Sequence, residues 1–194
     1  MLKSLQFADG GKFSFPVFDY YYNVYFINGR DYETELIHLA SKINQDFVFF
    51  DGGANMGYIS STFLHISKCC KKVVSIEPNP NLLPILKFNL DDVQSTNNFS
   101  IVSKAISNKS DVIDNFVIQR HAGSGLAKNG HSGGNSISIE TVSLNELIED
   151  FSRPSCFNLI KLDLEGAEFD ALEGFNFFYN SALIIEFLYA EGEL

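Results

Sequence analysis

The sequence predicts an α/β fold, a mostly parallel sheet between two layers of helices, and three stretches carry that prediction. Phe47-Val-Phe-Phe-Asp-Gly-Gly-Ala-Asn-Met-Gly57 runs from apolar residues into an acid and a glycine-rich turn. A continuous run this short, rich in aromatic and β-branched residues, reads as a strand buried on both faces. Apolar residues at 56, 59, 63 and 66 then place a helix directly after the turn. Lys72-Val-Val-Ser-Ile-Glu-Pro-Asn79 repeats the pattern of a strand ending in an acid, and Asn158-Leu-Ile-Lys-Leu-Asp-Leu-Glu165 does so again. Strand, glycine turn and helix together open a nucleotide-binding α/β unit.

The whole chain of 194 residues reads as one domain, with 45% hydrophobic and 20% charged residues giving a globular balance. Residues 1–45 form an N-terminal section of strands and a helix, and residues 46–188 form the ligand-binding core. A net charge of −10 argues against a nucleic-acid surface, which needs clustered Lys and Arg, and against an anionic membrane. No run of 18 apolar residues occurs, and the first residues have no apolar leader core. Cys69, Cys70 and Cys156 fit neither a disulfide framework nor a zinc spacing, so they read as reduced thiols of a cytoplasmic protein, with no metal site expected.

In chain order, 13–18 and 20–27 read as two strands around a turn near Asp19. Residues 31–43 read as a helix, with Tyr32 and Glu33 at its start. Glu33 is either an acid suited to the helix dipole or a carboxylate facing a cofactor. After the first core strand comes the turn itself, D-x-G-x-N-x-G over residues 51–57. It lacks the G-x-G-x-x-G that seats a pyrophosphate, and Asp51 would repel one. A cationic or zwitterionic ligand is accepted there, and S-adenosylmethionine, with a sulfonium, an ammonium and no phosphate, fits best. Glu77 lies 24 residues beyond Gly53. A carboxylate at the end of the second strand can accept hydrogen bonds from both hydroxyls of a ribose. Gly53→Val and Glu77→Ala are each expected to abolish cofactor binding with the fold kept.

A helix starting near Asn81 tolerates Pro84 in its first turn. Residues 99–106 form the third strand, whose small Ala105 would leave room for an adenine. Another strand follows at 112–119. Residues 120–135 form a loop with five glycines between 123 and 134. There His121 or His131 could act as a base. A strand at 136–142 leads into a helix opened by Ser143-Leu-Asn-Glu146, a capping-box pattern. In the strand from Asn158, Lys161, Asp163 and Glu165 share one face. Paired Asp163 and Glu165 could orient a hydroxyl, take its proton or hold a metal, unless they simply pair with Lys161 at an edge strand. Residues 168–174 read as a helix. The last strand, 182–188, carries Glu186 near its exit.

Asp51-Gly-Gly-Ala-Asn-Met-Gly57, Glu77-Pro-Asn-Pro80 and Lys161-Leu-Asp-Leu-Glu-Gly-Ala-Glu168, in that order, resemble the three blocks of the FkbM-type methyltransferases. Tyr32-Glu33 and Ser143-Leu-Asn-Glu-Leu147 fit the same pattern, so the resemblance spans about residues 28–188. It implies a Rossmann-like class I methyltransferase fold, S-adenosylmethionine as cofactor, and O-methylation of a sugar or other small hydroxyl-bearing metabolite. Read with the residues above, the cofactor contacts expected are Glu33, Asp51, Gly53, Asn55, Gly57, Glu77, Pro78, Ala105 and Asp163. The catalytic candidates are Asp163, Glu165 and His121. The complete fold of that family closes with an antiparallel pair, yet six residues follow the strand at 182–188. The closing hairpin is therefore expected to be absent, with the open edge covered by a homodimer partner or by the N-terminal strands. A cofactor-binding but inactive module completed by another chain is the alternative. A nicotinamide-dependent oxidoreductase is weakened by the incomplete glycine fingerprint and by Asp51.

Overall fold

The computed structural model describes residues 1–6, 11–27, 33–92, 98–118, 124–127, 135–176 and 180–185. Its centre is a five-stranded, fully parallel sheet in the spatial order β11, β10, β3, β4, β5. These strands are β3 (Phe47–Gly52), β4 (Cys70–Ile76), β5 (Phe99–Val102), β10 (Phe157–Leu162) and β11 (Ser181–Ile185). All six residues of β3 are buried, which is why its sequence is apolar without alternation.

Alternation along β3 instead assigns its side chains to two cores. Phe47 and Phe49 face one side, with Phe63 of α3 (Tyr58–Ile66) stacked on Phe49 at 3.9 Å between ring centroids. The same core takes Leu36 and Ala40 from α2 (Thr34–Lys42). Val48 and Phe50 face the other side, against Leu144, Leu147 and Ile148 of α5 (Leu144–Phe151) and Ala171 of α6 (Glu168–Leu172). The result is the three-layer sandwich predicted. Ser143 caps α5 as its sequence pattern requires, accepting from the Glu146 amide at 3.2 Å. Pro84 sits in the first turn of α4 (Leu83–Asp91), where its missing N–H leaves no gap.

The N-terminal prediction is corrected. Strands β1 (Leu2–Gln6) and β2 (Lys12–Pro16) form an antiparallel pair, and residues 20–27 form a helix, α1 (Tyr20–Ile27). A short apolar aromatic run does not distinguish strand from buried helix by period. Asp19 decides it: its carboxylate accepts the Tyr22 amide at 2.9 Å at the helix start. Tyr22 then packs on Phe13 and Phe15. The N-terminal strands pair with each other and do not extend the five-stranded sheet. Asn89 of α4 holds β2 through the amide and carbonyl of Ser14.

The third strand is shorter than predicted. It stops at Val102, and β6 (Ala105–Ile106) joins a second sheet of four strands with β7 (Ile113–Ile118), β8 (Gly125–Leu126) and β9 (Asn135–Val142). Ala105 packs in a satellite core with Phe116 and Leu126, while Ile106 stays in the main core with Val48 and Phe50. Among the described residues, no helix is long and apolar enough to cross a membrane.

Candidate active site

The site is built where β3, β4 and β10 end. After Gly52 the chain reverses through three left-handed residues, Gly53 (φ 75°), Asn55 (φ 53°) and Gly57 (φ 86°). The amides of Gly53 and Ala54 both donate to the Ile76 carbonyl, at 3.0 and 3.1 Å, which ties the turn to the end of β4. Gly53 must be glycine for a second reason. A Cβ there would lie 2.0 Å from the Asp163 carbonyl oxygen, so the turn after β3 and the turn after β10 touch through bare backbone.

Glu77 locks the turn from the β4 side. One carboxylate oxygen accepts the Asn55 amide and the other accepts the Asn79 amide, each at 2.8 Å. The side chain is 6% exposed. Burial pushes its carboxyl up to about 7, against the pull of those two amides. Each carboxylate oxygen retains a second acceptor position, so the group can still take donors from a ligand.

The β10 end forms a matching turn, with Glu165 (φ 55°) and Gly166 (φ 95°) left-handed. Buried Glu168 braces it by accepting the amides of Leu164 and Gly166, at 2.6 and 3.3 Å. Gly53, Asn55, Pro78, Asp163 and Glu165 are all partly exposed, so the two turns present an accessible surface over closed supports.

Beneath them lies a row of polar side chains that the sequence shows only in part. Lys161, Asp51 and Ser75 are register partners on β10, β3 and β4. The Lys161 ammonium is 3.6 Å from Asp51 Oδ1 and 3.4 Å from Asp163 Oδ2. The Ser60 hydroxyl of α3 donates to Asp51 Oδ2 at 2.6 Å and meets the Ser75 hydroxyl at 2.7 Å. Burial raises the Asp51 carboxyl above its ordinary value, with Lys161 pulling it back and Asp163 pushing it further up. The sequence reading gave Asp51 the positive charge of a ligand. In the structure the side chain is fully buried and that charge is supplied by Lys161. Lys161 in turn lies on an inner strand, not an edge strand.

The remaining candidates fall as follows. Glu33 is the left-handed residue that starts α2, which packs on α3. Ala105 spends its side chain in the satellite core. His121, His131, Tyr32 and Glu186 lie outside the described residues. Ser60, Ser75 and Glu168 were missed as site residues. Their signals were a serine near the start of the helix after the glycine turn, a serine two residues before Glu77, and an acid four residues after Leu164. Among the described residues, no three His, Cys, Asp or Glu side chains gather to hold a metal ion.

A parallel sheet whose glycine turn is closed by a carboxylate from the neighbouring strand, between two helical layers, is the ligand-binding architecture of a doubly wound α/β protein. Residues 51–190 match the methyltransferase FkbM domain, and the chain belongs to that family of methyltransferases. It is 31% identical over 138 residues to hexuronic acid methyltransferase AglP of Haloferax volcanii, an alignment covering 70% of this chain and 53% of that protein. The chain thus spans about half the length of that curated relative. The crystal structure of methyltransferase FkbM from Methylobacillus flagellatus KT matches with a TM-score of 0.46 at 20% identity, over 66% of this chain and 28% of that one. A precorrin-6y C5,15-methyltransferase from Geobacter metallireducens GS-15 matches with a TM-score of 0.41 at 13% identity, over 73% of this chain and 52% of that one. Family membership implies a methyl donor.

Proposed function

We propose that the chain uses S-adenosylmethionine to methylate an oxygen of a sugar or other small hydroxyl-bearing metabolite. The observation that carries this reading is the closed pairing of Glu77 with the glycine turn. When ionised, it offers an acceptor group beside accessible backbone at Gly53 and Asn55, which suits a ribose diol. S-adenosylmethionine, when bound, supplies an activated methyl group to a nucleophile. Glu77 would hold the ribose hydroxyls, and Gly53, Asn55 and Pro78 would line the approach. Asp163, with its side chain 29% exposed, stands at the open end and would take the proton of the acceptor hydroxyl. Glu165 beside it would orient that hydroxyl. Orientation supplies most of the rate in such a scheme, because the donor is already activated.

The relative named for hexuronic acid makes a hexuronic acid glycoside the first acceptor to try. Three free cysteines support a reducing, cytoplasmic setting. Calorimetric titration of the chain with S-adenosylhomocysteine, with NAD as control, tests the cofactor. Micromolar binding of S-adenosylhomocysteine alone supports the reading. Absence of binding by a folded chain removes it in favour of a module whose cofactor site is completed by another chain.

A further inference from the structure

Lys161 presents an unusual burial. Its side chain is 3% exposed on an inner strand of a parallel sheet, between a carboxylate that is 1% exposed and one that is 29% exposed. A charge in such a place is unfavourable, and a well-packed apolar residue would commonly serve stability as well or better. The placement also forms a graded line. Ser75 and Ser60 anchor Asp51, Asp51 faces Lys161, and Lys161 faces Asp163, which alone reaches the open end. Ser60, itself paired with Ser75, donates to one oxygen of Asp51, and the other oxygen faces the ammonium at 3.6 Å as an ion pair without a hydrogen bond.

We propose that Lys161 is a positioning residue of the methyl-transfer site: anchored by Asp51, its ammonium fixes the carboxylate of Asp163 at the open end of the row. The proposal rests on the reading of Asp163 as the group that takes the acceptor proton. Before that transfer the row Asp51, Lys161, Asp163 carries one net negative charge. When the acceptor hydroxyl gives its proton to Asp163, the row becomes neutral, with Lys161 and Asp51 still paired. Asp163 then passes the proton to water through its exposed side. Without the ammonium, two carboxylates would share the space and Asp163 would lose the partner that orients it. Among the described residues, Asp51 and Asp163 are charged groups that pair with Lys161, and Glu77 across the turn also feels it.

The coupling is readable without knowing the acceptor. In the full chain, carboxyl carbon NMR of Asp51 against pH should show its midpoint falling in Asp163→Asn. The same midpoint should rise in Lys161→Met. An Asp51 midpoint indifferent to Asp163→Asn overturns the proposal, and that variant alters a partly exposed turn residue, so it keeps the test open if Lys161→Met does not fold. The second readout uses S-adenosylmethionine and a hexuronic acid glycoside. Lys161→Met should lower kcat about tenfold or more, move the acid limb of the kcat profile upward and, at a pH well above 7 where Glu77 stays ionised, leave S-adenosylhomocysteine affinity unchanged. Lys161→Arg should restore part of the rate, and a loss of affinity equal to the loss of kcat would mark a merely structural lysine. The two readings fail separately. Slow turnover in Asp163→Asn with an unmoved Asp51 keeps the base and removes the role of Lys161. Wild-type turnover in Asp163→Asn removes the base, and the catalytic purpose of Lys161 with it.

Discussion

Under the proposed function, Glu77 is the residue on which cofactor chemistry and protein electrostatics meet. Its two oxygens already accept the Asn55 and Asn79 amides, and burial pushes the carboxyl up to about 7. A ribose diol needs acceptors, and a protonated carboxyl offers fewer of them. Affinity for S-adenosylhomocysteine should therefore rise with pH through about 7 and level off above it. The expected gain is about tenfold between pH 6 and pH 8, the change in the ionised fraction of a group titrating near 7. Calorimetry at three pH values reads it directly. Glu77→Gln should bind more weakly, because its amide nitrogen cannot accept from the turn, and should show a flat profile. A flat profile in the wild type would detach Glu77 from the ligand. The acid at position 77 was legible from its spacing after Gly53. Its use by the Asn55 amide was not, because nothing in a strand-end Glu announces which backbone will reach it.

At the scale of elements, the site is a contact between two turns. The Asp163 amide donates to the Gly52 carbonyl at 3.2 Å, and the Asp163 carbonyl lies against the bare α-carbon of Gly53. That corrects the expectation that Gly53→Val would abolish cofactor binding with the fold kept. The obstructing atom is backbone, so neither turn can yield by rotating a side chain. Even Gly53→Ala meets both the left-handed backbone and the carbonyl, and should destabilise the chain by about 3 kcal/mol. Urea unfolding would measure it; a loss below about 1 kcal/mol would mean the turns part easily. The succession of strand, glycine turn and helix was legible because burial on both faces forces a continuous apolar run. The helix at 20–27 was not, because its aromatic run suits either structure and Asp19 settles the matter through a hydrogen bond to Tyr22. The break after Val102 was equally hidden, since Ala105 packs on Phe116 and Leu126, which come later in the chain.

For the molecule as a whole, the buried acids and the net charge act on stability in the same direction. The folded state holds Glu77 near 7, against an ordinary value of 4.5, and also raises Asp51. Between those two values the folded chain keeps protons that the unfolded chain releases. A raised carboxyl thus contributes stability that is fully present below about 4.5 and is lost as pH rises through about 7. For Glu77 alone the change from pH 5.5 to 7.5 is about 2 kcal/mol. The net charge of −10 adds self-repulsion that also grows with pH. Thermal melts at constant ionic strength should therefore give a Tm roughly 5 °C higher at pH 5.5 than at 7.5. Glu77→Gln should lose the share due to Glu77 and keep the parts due to Asp51 and net charge. S-adenosylhomocysteine should reverse the order of benefit. A ligand that prefers ionised Glu77 raises the Tm more at pH 7.5, where it binds more tightly, so the gap between the two pH values should close as ligand is added. A gap that widens with ligand would mean the bound state favours the protonated acid, and the acceptor role of Glu77 would fall with it.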